Sequence, residues 1–222
     1  MNGRTALITG ASRGIGLAIA ARFSDLGAHV LTPTHAELDL GDGAAVRRYA
    51  AGLTEPIDIL VNNAGVNLLG SADEVSDAEF DETLRVDLTA PLLLVRALAP
   101  HMAARGYGRV LNVSSIWSLV GKPRRFAYSV AKSGLNGLTR ALAVEVAGSG
   151  VLVNAIAPGF VNTELTRQNN SPAELAAAKA LIPLGRLAEP AEIAELAAFL
   201  CSSRNTFVTG QVIAADGGYT CL

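Results

Sequence analysis

The sequence predicts a single α/β domain in which a doubly wound parallel sheet lies between two layers of helices. Short apolar runs alternate along the chain with longer amphipathic segments, the pattern of parallel strands covered by helices on both faces. The length of 222 residues suits one such domain, spanning 1–222, better than two. Half of the residues are hydrophobic and 17% are charged, so the chain has enough apolar surface to build a core.

The apolar runs define seven predicted strands, the third of which shows only its end: Thr5–Thr9, His29–Thr32, Leu38–Leu40, Ile57–Val61, Arg109–Val113, Val151–Ile156 and Gln211–Ala214. Amphipathic segments predict four helices: Ile15–Leu26, Asp77–Arg105, Tyr128–Ala147 and Pro190–Leu200. Only residues 33–37 separate the second strand from the third. Because a parallel crossover needs about a dozen residues or more, we expect this crossover to be shortened.

Composition and charge narrow the classes of partner. The formal net charge of −2 gives no electrostatic reason to expect nucleic acid or an anionic membrane surface. No apolar run approaches the roughly 18 residues of a membrane-spanning helix, and the N-terminus leads into a strand rather than a signal peptide. The two cysteines, Cys201 and Cys221, form no CxxC pair. We therefore expect no metal site, no disulfide and a cytoplasmic location.

A glycine cluster follows the first strand and opens the first helix. Residues 9–16 read Thr-Gly-Ala-Ser-Arg-Gly-Ile-Gly, a GxxxGxG spacing rather than the common GxGxxG. Small residues let the backbone approach a pyrophosphate, and the free N–H groups at the positive end of the helix attract the anion. A tight strand-to-helix turn also uses glycine, so the cluster alone does not establish a nucleotide site.

This cluster and residues 62–65, Asn-Asn-Ala-Gly, resemble the TGxxxGxG and NNAG motifs of short-chain dehydrogenases/reductases. The similarity runs from Arg4 to Thr220 and is strongest to bacterial 3-oxoacyl-carrier-protein reductases. It implies a Rossmann-type fold, a nicotinamide dinucleotide cofactor, and a homotetramer with the helices at 77–105 and 128–147 packing between subunits. The implied cofactor contacts are Gly10, Ser12, Arg13, Gly14, Ile15, Gly16, Asp39, Leu40, Asn63, Ala64, Gly65, Tyr128, Lys132, Pro158, Gly159, Val161 and Thr163.

Two of these groups have specific implied roles. In the family, an acidic-apolar pair matching Asp39 and Leu40 flanks the adenine. The Pro-Gly segment after the sixth predicted strand holds the nicotinamide carboxamide, through the backbone at the position of Val161 and the hydroxyl at the position of Thr163. A strand end followed by Pro-Gly is also an ordinary turn.

Tyr128 and Lys132 have the spacing YxxxK, which places them one turn apart on the same face of a helix. A phenol has an ordinary pKa of about 10 and is a poor proton carrier at neutral pH. We expect the neighbouring ammonium, helped by the positive nicotinamide ring, to lower the pKa of Tyr128. Tyr128 then takes the alcohol proton as hydride leaves, or donates a proton in reduction.

Ser115 lies just after a predicted strand, upstream of Tyr128, where the family has its catalytic serine. Its hydroxyl is placed to hydrogen-bond the substrate oxygen and hold it near the phenol. Ser114 and Ser118 are rivals by residue type, but the family spacing favours Ser115.

Asp87 departs from the family pattern, which has an asparagine supporting a water chain to the lysine. The carboxylate has nearly the same shape as the amide, so it can still interrupt the helix locally and strengthen the charge on Lys132. The alternative is that Asp87 is an ordinary polar residue of the helix.

Residues 164–185 occupy the place of the family's mobile substrate lid, with a break at 169–172 and a helix at 174–180. Apolar side chains next to the catalytic positions are expected to line the pocket: Ile116, Trp117, Phe126 and Phe160. Trp117 is equally consistent with core packing.

A basic turn precedes Tyr128. Its three cations, Lys122, Arg124 and Arg125, are consistent with attraction of an anionic group, such as a phosphopantetheine arm or a nucleotide sugar. Surface charge clusters are common, so a solvated turn is the alternative that we favour.

The sequence favours NADP(H) over NAD(H). The second strand ends at Thr32-Pro33-Thr34-His35, without the carboxylate that binds ribose hydroxyls in NAD-preferring proteins. Arg13 matches the basic residue that NADP-dependent family members direct at the 2′-phosphate, and guanidinium binds phosphate with two hydrogen bonds. Glu37 opposes this preference if the shortened crossover brings it close to the ribose.

We therefore predict an oxidoreductase that transfers hydride between NAD(P)(H) and a carbonyl or secondary alcohol, with a 3-oxoacyl thioester on a carrier protein as one candidate substrate. One alternative is a nucleotide-sugar epimerase or dehydratase, which also uses YxxxK but usually has a larger C-terminal domain. The other is a dinucleotide-binding regulator without catalysis, a class that tends to lose the tyrosine or the lysine.

Overall fold

A computed structural model describes all 222 residues. Its centre is a six-stranded, all-parallel sheet in the order β2-β1-β3-β4-β5-β6. The strands are β1 Thr5–Ile8, β2 His29–Leu31, β3 Ile59–Asn62, β4 Gly108–Val113, β5 Val151–Pro158 and β6 Val212–Ala215. The chain adds β2 on one side of β1 and then β3 to β6 on the other side, so the direction of winding reverses at β1. This reversal confirms the predicted doubly wound α/β class.

The chain has eight α-helices: α1 Gly14–Asp25, α2 Gly43–Ala51, α3 Asp77–Leu84, α4 Ala90–Ala104, α5 Phe126–Val146, α6 Glu164–Gln168, α7 Pro172–Leu181 and α8 Pro190–Cys201. The core has two parts, one on each face of the sheet, because successive side chains of β1 point to opposite faces. Ile8 packs with α1 and α8, while its neighbour Leu7 packs with α2 and α4 on the other face. Three layers result, as expected. No helix has both the length and the apolar composition to cross a bilayer.

The expected strand at Leu38–Leu40 is absent, so β2 is an edge of the sheet. Leu38 is buried in the core beside α2, and the chain turns directly afterwards, where the Asp39 carboxylate accepts a hydrogen bond from the Gly41 N–H at 2.8 Å. Residues 33–37 are too few to carry the chain over the sheet and back. The apolar residues here therefore anchor a loop to the core instead of extending the sheet.

The predicted helix at 77–105 is interrupted. Residues 85–89 form one π-helical turn between α3 and α4, and Asp87 lies within it. Insertions of this kind are rare and occur mostly at functional sites. The interruption that the sequence suggested at Asp87 is thus present, and it turns the carboxylate into the protein interior, where the residue has no exposed surface.

Candidate active site

A cleft of about 490 Å³ opens at the carboxyl ends of the strands, at the point where the strand order reverses. Crevices at this point are where doubly wound sheets bind their ligands. It brings together most residues expected at the site: Gly10, Ser12, Arg13, Gly14, Ile15, Gly16, Asn63, Ala64, Gly65, Ser115, Tyr128, Lys132, Pro158, Gly159, Val161 and Thr163. Asp39, Leu40 and Asp87 lie outside its lining.

Two glycines, one in the loop after β1 and one in the first turn of α1, are required by close approach of neighbouring atoms. Gly10 has φ +66°, and a Cβ there would lie 2.7 Å from the Cα of Ala64. A Cβ on Gly16 would overlap the carbonyl oxygen of Gly10. Any larger side chain would therefore push the loop away from the NNAG segment and fill the cradle between them.

The NNAG segment is hydrogen-bonded to the glycine loop. The Asn63 side-chain amide donates to the carbonyls of Thr9 and Gly10 at 2.9 and 3.0 Å. In return, the Thr9 hydroxyl accepts from the backbone N–H groups of Asn63 and Ala64, both at 3.1 Å. These bonds hold the ends of β1 and β3 together and fix the floor of the cleft.

The N-terminus of α1 is suited to an anion. Its first turn contains no acidic residue, and Arg13 at the N-cap makes no side-chain capping bond. The N–H groups of this turn are therefore free of side-chain partners at the positive end of the helix. A Cβ on Gly14 would lie 3.3 Å from the Thr163 methyl group, so the Pro-Gly segment borders the same cradle. These residues fit the pyrophosphate of a dinucleotide.

Helix α5 carries Tyr128 and Lys132 on one face, as the YxxxK spacing predicts. The Lys132 ammonium donates to the carbonyl of Val113 at 3.0 Å and lies 5.5 Å from the centre of the Tyr128 ring. Lys132 is buried, whereas Tyr128 is partly exposed to the cleft. The lysine is therefore held in place by the end of β4, directly behind the phenol.

Asp87 contacts Lys132 from behind the cleft. Its Oδ2 lies 3.2 Å from Lys132 Nζ, as an ion pair without hydrogen-bond alignment, and its Oδ1 accepts from the Val66 N–H at 2.8 Å. A Cβ on Gly65 would approach Oδ2 to 3.0 Å, so the NNAG glycine leaves room for the carboxylate. Asp87 is thus a partner of the lysine rather than an ordinary helix residue.

Burial and this ion pair set the proton affinities of the site. Burial raises the pKa of Asp87, and Lys132 only partly offsets it. Burial acts to lower the pKa of Lys132, but the charges of Asp87 and Tyr128 outweigh it, and the pKa lies above its ordinary value. A lysine with this pKa stays charged at neutral pH.

The sequence predicts a lowered pKa for Tyr128, but the protein's own groups raise it. Burial is the largest influence and raises the pKa of Tyr128 above its ordinary value. Lys132 lowers it as anticipated, whereas Asp87 raises it. The aspartate that replaces the family asparagine therefore opposes part of the activation by the lysine.

Ser115 is the serine placed to act with Tyr128. Its hydroxyl accepts from the Trp117 N–H at 3.2 Å, and its interaction with the phenol lowers the pKa of Tyr128. The rival Ser114 donates to the Asn136 side chain at 2.7 Å, and that amide donates to Ser118 at 2.8 Å. The two rival hydroxyls are therefore engaged in a hydrogen-bond network with Asn136, although Ser114 also borders the cleft.

The pocket walls differ partly from expectation. Trp117 and Phe160 line the cleft and meet edge to face, with ring centres 5.8 Å apart. Ile116 is instead buried in the core, and Phe126 packs against Phe80 on the exposed start of α5. Both point away because the 3₁₀ turn after β4 and the first turn of α5 each present only one face to the cleft.

The lid region contains the predicted break and the predicted helix: residues 169–171 precede α7, which begins at Pro172 rather than at Glu174. The short helix α6 before the break was not predicted. Glu164, Leu165, Thr166, Asn169 and Asn170 line the cleft, so the lid forms one of its walls. Ser171 caps α7 by accepting from the Glu174 N–H.

Outside the lid, four residues of the cleft were not predicted to line it: His35, Val66, Asn67 and Val113. Asn67 and Val66 directly follow NNAG, and this proximity was the one available signal. Asn67 links two walls, since its side chain accepts from Arg125 at 3.2 Å and its carbonyl accepts from Asn169 at 3.3 Å. No group of His, Cys, Asp and Glu side chains is arranged to hold a metal ion.

Comparison with known proteins agrees with this geometry. Residues 34–220 match the family described as enoyl-(acyl carrier protein) reductase. The chain is 36% identical to the 3-oxoacyl-[acyl-carrier-protein] reductase FabG of Rickettsia bellii over 237 residues, which cover 98% of this chain and 97% of the relative. The chain belongs to the short-chain dehydrogenase/reductase family. The aligned length exceeds 222, so that relative carries insertions with respect to this chain.

Other members extend the likeness. The chain is 38% identical to the oxidoreductase UcpA of Salmonella typhimurium, covering 99% of this chain and 95% of UcpA. A crystal structure of gluconate 5-dehydrogenase from Burkholderia cenocepacia, in complex with NADP and tartrate, matches with a TM-score of 0.92 at 30% identity, covering 100% and 97%. The 222-residue chain is therefore an oxidoreductase that interconverts alcohol and carbonyl groups.

Proposed function

We propose that residues 1–222 form one domain that binds NADP(H) and reduces a ketone, or oxidises the corresponding secondary alcohol, with Tyr128 as the acid–base group. The observation that carries the proposal is the meeting of Ser115, Tyr128 and Lys132 in the same cleft as the glycine loop. A dinucleotide held on that loop supplies or accepts the hydride.

The chain's own residues handle the proton and the orientation. The Ser115 hydroxyl holds the substrate oxygen against the Tyr128 phenol, which gives its proton to the oxygen in reduction and takes one in oxidation. Lys132 stabilises the phenolate by its charge and is itself held by Val113 and Asp87. The lid wall excludes water from the reacting centre.

NADP(H) is the preferred cofactor in this proposal, with NAD(H) as the alternative. Arg13 lines the cleft, and no acid from residues 32–35 faces it. The Glu37 carboxylate, which would repel a phosphate, accepts from the Thr34 N–H and hydroxyl, both at 2.8 Å, and lies outside the cleft lining. Residues 32–37 thus present no carboxylate to a 2′-phosphate, and Arg13, which is exposed and paired with Glu164, is the cation available to bind it. Asp39 and Leu40 remain proposed contacts of the adenine end.

Two substrate classes are supported by relatives. The FabG relatives are named for 3-oxoacyl groups on acyl carrier protein, and the Burkholderia structure is a gluconate dehydrogenase with tartrate bound. Both classes present a ketone or secondary alcohol to a Ser-Tyr-Lys site. The names of all these relatives are those of reductases and dehydrogenases, which argues against an epimerase.

We also propose a homotetramer in the cytoplasm. Val144, on α5, is 84% exposed, and Val130 on the same helix is 41% exposed, which favours burial of this helix between subunits. Cys201 and Cys221 are both free, as a reducing compartment favours. Light scattering coupled to size-exclusion chromatography tests the assembly.

Replacing Tyr128 by Phe tests the catalytic assignment. We expect hydride transfer to fall by about 10²- to 10⁴-fold while NADPH affinity changes little, because only the acid–base oxygen is removed. Stopped-flow NADPH oxidation with a ketone panel measures the first quantity, and NADPH fluorescence titration measures the second. Tyr107→Phe, remote from the cleft, is the matched control. Near wild-type turnover by Tyr128→Phe would overturn the proposal.

A further inference from the structure

Arg125 is a buried cation at the substrate end of the cleft. It stands at the N-cap of α5, is 5% exposed, and lines the cleft together with Tyr128 and Trp117. Its backbone is fixed against a neighbouring loop, because the Gly70 carbonyl accepts from the Phe126 N–H at 3.4 Å and Gly70 pairs with Arg125 as a β-bridge. Arginine is almost never this buried without a partner.

The protein supplies this guanidinium with little compensation. Nη1 donates to the neutral Asn67 side chain at 3.2 Å, and the buried Nε has no partner. Arg125 forms no salt bridge. Two acidic groups act on it from a distance: the Tyr128 phenol when it is ionised, and Glu174 on α7, which is exposed and already hydrogen-bonded to Ser171. A buried cation left in this state calls for an anion from outside the chain.

The adjacent Arg124 shows the opposite arrangement. Its side chain is 57% exposed, and it donates to both carboxylate oxygens of Glu74 at 2.7 and 2.6 Å. The exposed arginine, which needs no counter-ion, has one, while the buried arginine has none. The basic turn is therefore not uniformly solvated, and the favoured interpretation of the sequence was wrong for Arg125.

A second cation faces the same region. Lys122 Nζ lies 5.0 Å from the Trp117 ring centre and 5.1 Å from that of Phe160, and these rings line the cleft. Burial lowers the pKa of Lys122, and the charge of Arg125 lowers it further. Two like charges thus lie close together at the substrate end, and a bound anion would relieve their repulsion.

We infer that Arg125 binds a carboxylate of the substrate, so that the substrate is an oxo acid or hydroxy acid. This inference rests on the proposed function. The amides of Asn67, Asn169 and Asn170 border the same space and supply neutral hydrogen-bonding groups beside the carboxylate. The positive end of α5 adds to the attraction.

The position of Arg125 favours a carboxylate over a more distant phosphate. Arg125 is the N-cap residue of α5 and precedes Tyr128 by three residues, so both side chains leave the start of the same helix and line the same cleft. The anion is therefore a few bonds from the carbon that reacts. The phosphate of a phosphopantetheine thioester lies at the far end of a long arm, beyond this distance, whereas a compact oxo acid spans it.

Matched substrates test the inference. Short oxo acids are assayed with NADPH beside their primary amides, which have the same shape without the charge, using the wild type, Arg125→Gln and the control Arg124→Gln. We expect the wild type to prefer acids and Arg125→Gln to lower the acid-to-amide ratio of kcat/KM by about 10- to 100-fold, mainly through KM. Arg124→Gln keeps the wild-type ratio.

Stability gives a second measurement. Removal of an unpaired buried cation is neutral or stabilising, so the Tm of Arg125→Gln should not fall. A lower Tm with equal losses on acid and amide identifies a structural arginine and overturns the inference. So does an Arg125 dependence seen only with a phosphopantetheine thioester and not with its dephosphorylated form. Turnover of neutral ketones without any acid preference overturns the inference alone, whereas no turnover of any carbonyl overturns the proposed function.

Discussion

Two cation–carboxylate pairs stand on opposite sides of the cleft, and their surroundings differ. Lys132 and Asp87 are 3.2 Å apart, with side chains 3% and 0% exposed. Arg13 of the glycine loop and Glu164 of the lid helix α6 are 2.8 Å apart, with side chains 59% and 53% exposed. The shorter contact is the weaker one, because water and salt screen it.

The difference assigns the two pairs different uses. The buried pair cannot separate without leaving a charge uncompensated in the interior, so it holds Lys132 in one place and one charge state. The exposed pair costs little to break, so Arg13 can exchange Glu164 for another anion. The cleft therefore combines a rigid ion pair beside Tyr128 with an exchangeable contact between the glycine loop and the lid.

Breaking the buried pair should have the largest effect. Asp87→Leu leaves the Lys132 ammonium buried without its carboxylate and the Val66 N–H without its acceptor. We therefore expect the free energy of unfolding to fall by about 3–5 kcal/mol and the enzyme activity to be lost. Chemical denaturation measures the loss, with the exposed Asp81→Leu on α3 as control. An unchanged stability, rate and pH profile would make Asp87 an ordinary helix residue.

Neutralising the pair without changing its shape should have a moderate effect. In Asp87→Asn the amide oxygen still accepts from Val66 and a dipole replaces the charge beside Lys132, so we expect about 1–3 kcal/mol of destabilisation, less than in Asp87→Leu. The Asp87 charge raises the pKa of both Tyr128 and Lys132, so its removal lowers both.

In the proposed mechanism deprotonated Tyr128 is the base for oxidation, so the rate should rise with pH through its pKa. The rising limb of the Asp87→Asn profile should therefore shift to lower pH. A kcat profile with NADP⁺ and an alcohol substrate measures the shift. A limb that stays in place, or moves to higher pH, would show that the carboxylate does not act on the phenol.

Breaking the exposed pair of Arg13 and Glu164 should have the smallest effect, a change in cofactor preference. We expect Arg13→Ala to lower kcat/KM with NADPH about tenfold and to leave NADH use nearly unchanged, because one charge-assisted contact to the 2′-phosphate is lost. Steady-state kinetics with both cofactors measure the preference. Glu164→Gln is the control, because it breaks the contact between Arg13 and the lid but leaves Arg13 free to bind the phosphate. Equal use of NADH by the wild type, with Arg13→Ala neutral and Glu37→Ala damaging, would reverse the assignment.

Sequence reasoning succeeded where local geometry decides the outcome. The four-residue spacing of Tyr128 and Lys132 puts them on one helix face in any context, and the glycine loop needs only a strand before it and a helix after it. It failed at Leu38–Leu40, because the alternating pattern Leu-Asp-Leu is found both in short strands and in loops whose apolar side chains are buried in the core.

Other features depend on packing between distant segments. The burial of Arg125 follows from the positions of Gly70 and the lid, and the pairing of Arg13 with Glu164 joins segments 151 residues apart. The sign of the shift in the Tyr128 pKa depends on how deeply the phenol is enclosed. None of these quantities has a local sequence pattern.

The missing edge strand has a consequence for behaviour in solution. With no strand beyond it, β2 presents its outer backbone N–H and C=O groups at the margin of the sheet, and such a row is a template onto which another chain can add. Here the row is only three residues long, from His29 to Leu31, and the chain then reaches Pro33, which has no N–H to donate. A margin this short offers a foreign strand few backbone hydrogen bonds, so it is a weak template for aggregation.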